Sequence, residues 1–256
     1  MKKILITGST GTVGSILRKE LKHCKLFLLS RRKIESLSHN EIFIKSYNLQ
    51  EKHWWRNIDN SIKFDLIIHL AEEVKNDSID QESIIKAHIE FIQFSKIISK
   101  LVIYPITAYI YDKKQSSNSI AYTAIKRQVM WQFCNDKSVS LPILHPILDV
   151  GSGINIFIKL NYKYNFCNIF SSFNAFIFVL TKKDLGLFFN SKINPGISNV
   201  YSKHLMISDI FFVASNYNCK SLSKVFKFIL SFFTFIPLVY LLVNGRNINN
   251  CFINDE

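Results

Sequence analysis

Tyr122 and Lys126 stand four residues apart in the stretch YTAIK. On a helix such a pair shares one face, which brings an ammonium beside a phenol. The cation favours the phenolate and lowers the tyrosine pKa towards a range useful for moving a proton. Far upstream, residues 7–14 read TGSTGTVG, with Gly8, Gly11 and Gly14 at GxxGxxG spacing. At a strand-to-helix junction these glycines have separate tasks. Gly8 allows the tight turn out of the strand, Gly11 lets backbone approach a diphosphate, and Gly14 lets the helix pack close to the sheet. The free N–H groups and the dipole of the helix N-terminus then favour negative charge. Gly8, Thr10, Gly11, Thr12, Val13 and Gly14 are therefore the candidate cradle of a dinucleotide. Either pattern alone arises by chance. The glycine loop gains weight from its place at the first strand of a βαβ unit, and YxxxK from lying downstream of it.

The second strand ends in Ser30-Arg31-Arg32. An acidic residue there would take the ribose 2′-hydroxyl of NAD, whereas an arginine can meet a 2′-phosphate. NADP is the expected cofactor, with NAD still open. The rival reading leaves both arginines in solvent.

These groups need a scaffold, and the hydrophobic pattern supplies one. Short apolar runs at 3–7, 26–30, 42–47, 64–71, 101–107 and 141–148 read as buried strands. Helical spacing of apolar residues marks 12–21, 83–99 and 122–134. Strands alternating with helices predict an α/β fold, a Rossmann-like doubly wound parallel sheet. Residues 1–150 are expected to form the NAD(P)-binding domain and 151–256 a short C-terminal substrate lobe. In that lobe 175–180 and 198–201 read as short strands. Residues 228–243, FILSFFTFIPLVYLLV, are the most hydrophobic stretch. As a helix they would span about 24 Å, short of a ~30 Å hydrocarbon core, and Pro237 would kink it. A packed helical element is the preferred reading, and peripheral membrane contact the alternative.

The chain of 256 residues is 48% apolar, which excludes a disordered chain. Its net charge of +13 comes from basic residues spread along the chain rather than gathered into an arm. Biased composition explains this better than a partner does, and no nucleic-acid-binding signature accompanies it. Five cysteines without a CxxC pair suggest neither a disulfide framework nor a zinc site, and fit a reducing cytoplasm. No metal is expected, because the histidines lack metal spacing such as HExxH. His69 reads as a satisfied core residue, and Trp54-Trp55 as packing under the sheet. Glu72 and Glu73 follow the fourth strand near a cofactor's path, although a solvated loop would explain them equally well.

The stretches TGSTGTVG (7–14), FDLIIHLA (64–71), TAYIYD (107–112), YTAIK (122–126) and, more weakly, LHPILDVGSG (144–153) together resemble the short-chain dehydrogenase/reductase superfamily. The likeness is to its extended branch of nucleotide-sugar epimerases, reductases and dehydratases. It covers about the first 150 residues in order, and the tail only loosely through 178–185 and 199–201. The resemblance implies that Tyr122 is the general acid/base, Lys126 its pKa partner and a ligand of the nicotinamide ribose, and Thr107 the hydroxyl that bonds the reacting oxygen. It also implies adenine contacts at Asn48 and Leu49, cofactor-lining backbone at Leu70 and Ala71, and Pro146 near the nicotinamide. It implies a nucleotide-sugar substrate, a role in surface polysaccharide synthesis and pairing as a homodimer.

Some positions depart from the family's pattern. Asn48 replaces an Asp, His88 stands near the usual helix Asn, and His145 replaces an Arg. Ala108 and Tyr109 stand where 4,6-dehydratases carry an Asp-Glu pair, so loss of a sugar hydroxyl has no evident driver. The expected activity is therefore an oxidoreductase or epimerase on a nucleotide sugar. The alternative is a cofactor-binding regulator or scaffold with little turnover, motivated by the altered positions and the short tail.

Overall fold

The computed structural model describes residues 1–72, 80–112, 117–145, 147 and 176–206. The chain forms two compact units, one of residues 1–107, 121–143 and 185–200, the other of 108–120, 144–184 and 201–256.

The first unit is built on β1 (Lys3–Thr7), whose apolar run ILI is buried on both faces. β2 (Lys25–Ser30) and β4 (Leu66–His69) flank it in parallel, so that Leu5 lies opposite both Phe27 and Ile67. β3 (Glu41–Lys45) pairs with β2 in parallel. On the other side β5 (Val102–Ile103) pairs with β4, and β7 (Val139–Leu144) with β5, both in parallel. With β6 (Ile106–Thr107) the order is β3-β2-β1-β4-β5-β7-β6, and β9 (Gly196–Val200) joins at β7. The strand order therefore reverses between β1 and β4. In such a Rossmann-like sheet the crevice outside the carboxyl ends at the reversal is where ligands bind.

Three helices position the functional side chains. α1 (Thr12–Glu20) buries Gly14, Ile16 and Leu17, and its Arg18 grips Glu41 of β3 through two hydrogen bonds of 2.7 and 2.8 Å. α2 (Gln81–Ile98) is capped by Asp80, which accepts from Glu82 N and Ser83 N. Its buried stripe of Ile84, His88, Phe91, Ser95 and Ile98 follows helical spacing. α3 (Ser117–Phe133) buries Ile125, Lys126, Val129, Met130 and Phe133. Trp54 and Trp55 pack on Phe91 at ring distances of 4.8 and 5.4 Å, as expected of buried indoles.

Two expected elements differ in form. The run 101–107 is not one strand, because Tyr104-Pro105 separates β5 from β6. Proline has no N–H for a ladder, and its carbonyl turns to accept from Lys126. β7 spans Val139–Leu144 and so starts two residues before the expected 141. In the second unit β8 (Phe176–Val179) pairs antiparallel with β10 (Lys203–Met206), and Ile147 bridges to Leu180 in parallel. α4 (Lys182–Asn190) was not expected. It opens on a reciprocal cap in which Thr181 Oγ1 donates to Asp184 Oδ2 at 2.7 Å and accepts from Asp184 N at 3.1 Å. The hydrophobic stretch 228–243, Pro146 and Glu73 lie outside the described residues. Among the described residues no helix is long and apolar enough to cross a membrane.

Candidate functional site

Gly8 leaves β1 with φ +64°, and a Cβ on it would stand 2.6 Å from the Leu70 carbonyl and 2.8 Å from Ala71 N. Only glycine fits both demands. A Cβ on Gly14 would stand 2.6 Å from Ser9 Cα, so α1 rests directly on the loop it follows. Gly11 is the N-cap of α1 and gives no side-chain cap. The first-turn N–H groups are thus left to a ligand or to water.

This junction opens into a groove of about 350 Å³. Gly8, Thr10 and Gly11 form one wall, and Leu70, Ala71 and Glu72 leave β4 along it. Arg31 and Arg32, beyond β2, lie at the groove with Tyr47 and Leu49. Of the residues expected to bind cofactor, the groove gathers Gly8, Thr10, Gly11, Arg31, Arg32, Leu49, Leu70 and Ala71. Thr12, Val13 and Gly14 instead form the first turn of α1 and do not line it. Asn48 stands beside it, accepting from Arg31 Nη1 at 2.8 Å. A diphosphate suits the uncapped helix N-terminus, and the arginines add positive charge, so these residues fit a dinucleotide.

The second feature lies on α3. Lys126 Nζ sits 5.8 Å from the centre of the Tyr122 ring and donates to the Pro105 carbonyl at 3.0 Å. Since Pro105 immediately precedes β6, this bond brings Lys126 to the strand that ends in Thr107. The ammonium also lies 3.9 Å from the centre of the Tyr104 ring and forms an ion pair with Glu72. Lys126 is 3% exposed and the Glu72 side chain 15%.

Behind Glu72 runs a chain of buried polar groups. His88 Nε2 lies 3.6 Å from Glu72 Oε2, His88 Nδ1 is 2.8 Å from His69 Nε2, and His69 Nδ1 is 2.8 Å from Thr7 Oγ1. The direction of the bonds follows from Thr7. Its oxygen accepts from both Leu70 N (3.0 Å) and Ala71 N (2.9 Å), so its proton goes to His69 Nδ1. His69 then carries its proton on Nε2 and donates to His88 Nδ1, and His88 Nε2 faces Glu72.

Burial opposes the charge of Glu72, but Lys126 and His88 outweigh it and hold the carboxyl at about 2. Burial lowers the Lys126 pKa, and Glu72 counters this. Burial, reinforced by His88, holds His69 well below its ordinary value and hence neutral. Burial and then the Glu72 charge push the Tyr104 phenol well above its ordinary range.

The sequence reading missed this cluster. It left Glu72 between the cofactor's path and solvent, and took His88 only as a substitution. The available signal was positional. Glu72 directly follows the Leu-Ala that leaves the central strand, and His69 closes that strand.

Residues 4–124 match the NAD dependent epimerase/dehydratase family. The match covers just under half of the chain. The matched segment holds the glycine loop, Glu72, Thr107 and Tyr122, and ends two residues before Lys126. Solved structures of similar fold include ADP-L-glycero-D-manno-heptose-6-epimerase of Helicobacter pylori, with a TM-score of 0.62 and 16% identity over 87% of this chain and 84% of that one. Bordetella bronchiseptica WbmG, solved in complex with NAD and UDP, gives 0.62 and 18% over 86% and 80%. The dTDP-glucose 4,6-dehydratase of Bacillus anthracis, in complex with NAD, gives 0.60 and 11% over 84% and 80%. No curated protein matches the sequence.

Proposed function

We propose that the chain binds an NAD-type dinucleotide at the glycine loop and acts as an oxidoreductase or epimerase on a nucleotide sugar. The observation that carries this reading is the occurrence, in one compact unit, of an uncapped glycine-lined helix N-terminus and a buried lysine on the Tyr122 face of α3. The match of residues 4–124 to the NAD dependent epimerase/dehydratase family and the structural neighbours solved with NAD or UDP support it.

When bound, the nicotinamide exchanges hydride with a substrate carbon. Tyr122 moves the proton on the adjacent oxygen, and Thr107 hydrogen-bonds that oxygen. Lys126 holds the nicotinamide ribose and supplies the positive charge that favours phenolate. In a reduction the proton passes from Tyr122 to the new hydroxyl. In an epimerisation Tyr122 first takes the hydroxyl proton and later returns it. Arg31 and Arg32 favour NADP through its 2′-phosphate, with NAD the other candidate. We extend the proposal to Pro146 near the nicotinamide, a role in surface polysaccharide synthesis, a cytoplasmic setting, pairing as a homodimer and peripheral membrane contact through 228–243.

One observation favours a second reading, binding with little turnover. The charge of Lys126 is shared with Glu72, which weakens its help to Tyr122. The deciding experiment titrates the purified protein with NADPH and NADH by calorimetry. A nucleotide-sugar panel is then followed by nicotinamide absorbance and product NMR. Binding with turnover is the expected result. Binding without turnover on any sugar favours the second reading, and no binding ends both.

A further inference from the structure

The groove carries opposite charges at different places. Arg31, Arg32 and the uncapped N-terminus of α1 are positive features. Glu72 lines the same groove and is acidic. A dinucleotide has groups to match: its diphosphate is only an acceptor, whereas its riboses carry vicinal hydroxyls that donate. A carboxylate has about four lone-pair sites and no proton to give. In Glu72, Oε1 is enclosed with Lys126, and Oε2 faces His88 at a long 3.6 Å. The Tyr104 phenol also bears on this carboxylate, but the side chain is 15% exposed and lines the groove, so acceptor capacity is left over there. Its aim is fixed from behind, since Thr7, His69 and His88 form an ordered chain of 2.8 Å contacts. His69 and His88 are fully buried, so the chain is not a route to solvent.

We infer that Glu72 is a ribose-binding residue, its carboxylate accepting from a hydroxyl of the nicotinamide-side ribose beside Lys126, with His88 and His69 as the positioning residues that aim it. The inference rests on the dinucleotide reading above and adds a residue to it. Lys126 donates to that ribose and Glu72 accepts from it, so the pair can take both polarities of one diol. A phosphate at the same point would be repelled. The groove thus sets the direction of the ligand, with diphosphate at the helix and diol at the acid.

The test uses the full chain, calorimetry at fixed ionic strength, and two ligands that differ by one ribose, ADP and ADP-ribose. Wild type is expected to bind ADP-ribose more tightly than ADP. Glu72→Gln should weaken ADP-ribose about tenfold, the scale of one charge-assisted hydrogen bond, while leaving ADP within about twofold. Glu72→Asp keeps a charge for Lys126 and so guards folding, but withdraws the carboxylate by one methylene. It should show the same selective loss. Circular dichroism and melting establish that each variant is folded. Equal weakening of both ligands, or tighter binding of ADP-ribose once the charge is removed, would overturn the role of Glu72 while the dinucleotide reading stands. Failure of wild type to bind either ligand or NAD(P)H would overturn both.

Discussion

The Lys126 ammonium and the Glu72 carboxylate form an ion pair that joins α3 to the end of the central strand β4. Lys126 is 3% exposed, so neither burial nor pairing can be changed alone. Removing one partner strands a charge, which costs about 3–5 kcal/mol for a buried pair, whereas an apolar replacement of both is often neutral. Lys126→Met is therefore expected to lower the unfolding free energy by about 3 kcal/mol, and Lys126→Met with Glu72→Leu to recover most of it. Denaturant unfolding of the two single variants and the double variant measures the coupling. If the double variant loses the sum of the single effects, the pair does not act as a unit.

Tyr122 lies on the same helix face as Lys126, but Lys126 has its own anchors in Glu72 and Pro105. Tyr122→Phe removes the proton carrier and leaves those anchors in place. Turnover is expected to fall by about 100- to 10,000-fold, the usual range for a lost general acid or base. Cofactor affinity should stay within about twofold, because no charge is removed. Single-turnover absorbance and calorimetric titration read the two effects separately. Rates like those of wild type would remove Tyr122 from the mechanism.

The sequence made the scaffold legible because its signals are local. Apolar runs gave β1 at its observed bounds, and glycine spacing gave the turn that Gly8 makes at φ +64°. Helix spacing placed Tyr122 and Lys126 on one face. What the sequence hid was long-range pairing. Glu72 and Lys126 are far apart in the chain, and neither stands in a pattern that names the other. The same holds for His69 and His88, whose bond depends on β4 and α2 lying side by side. α4 was missed for a different reason. It is short, its apolar residues Leu185, Leu187, Phe188 and Phe189 follow a polar start, and its clearest mark is the cap formed by Thr181 and Asp184.

Arg31 and Arg32 both line the groove, and Arg31 donates to Asn48. Asn48 can orient the guanidinium without neutralising it, as an Asp at this position would do. Replacing both arginines by Ala is expected to weaken NADPH by about tenfold or more and NADH by about threefold at most, since only NADPH has a phosphate to lose. Calorimetry with both cofactors measures the ratio. Equal losses would show that the arginines add only general charge.

Acid should destabilise the fold in two stages. His69 is held neutral by burial, with its pKa well below the ordinary 6.5. The unfolded chain takes up a proton that the folded chain refuses, so this contribution to stability is present above pH 6.5 and declines as the pH falls below it. Glu72 adds a second stage, because the folded carboxyl sits at about 2 against an ordinary 4.5. Its contribution is present above pH 4.5 and is lost as the pH falls towards 2. Asp136, held at about 2 against 3.8 by its Lys96 and Ser138 bonds, acts in the same direction. Each such proton tilts the unfolding free energy by up to about 1.4 kcal/mol per pH unit. The melting temperature should therefore drop between pH 7 and 5 and drop more steeply below 4.5. In His69→Gln, whose amide does not titrate, the upper stage should flatten even if the whole curve is lower. A wild-type melting temperature that is level from pH 7 to 5 would mean that His69 is not held neutral.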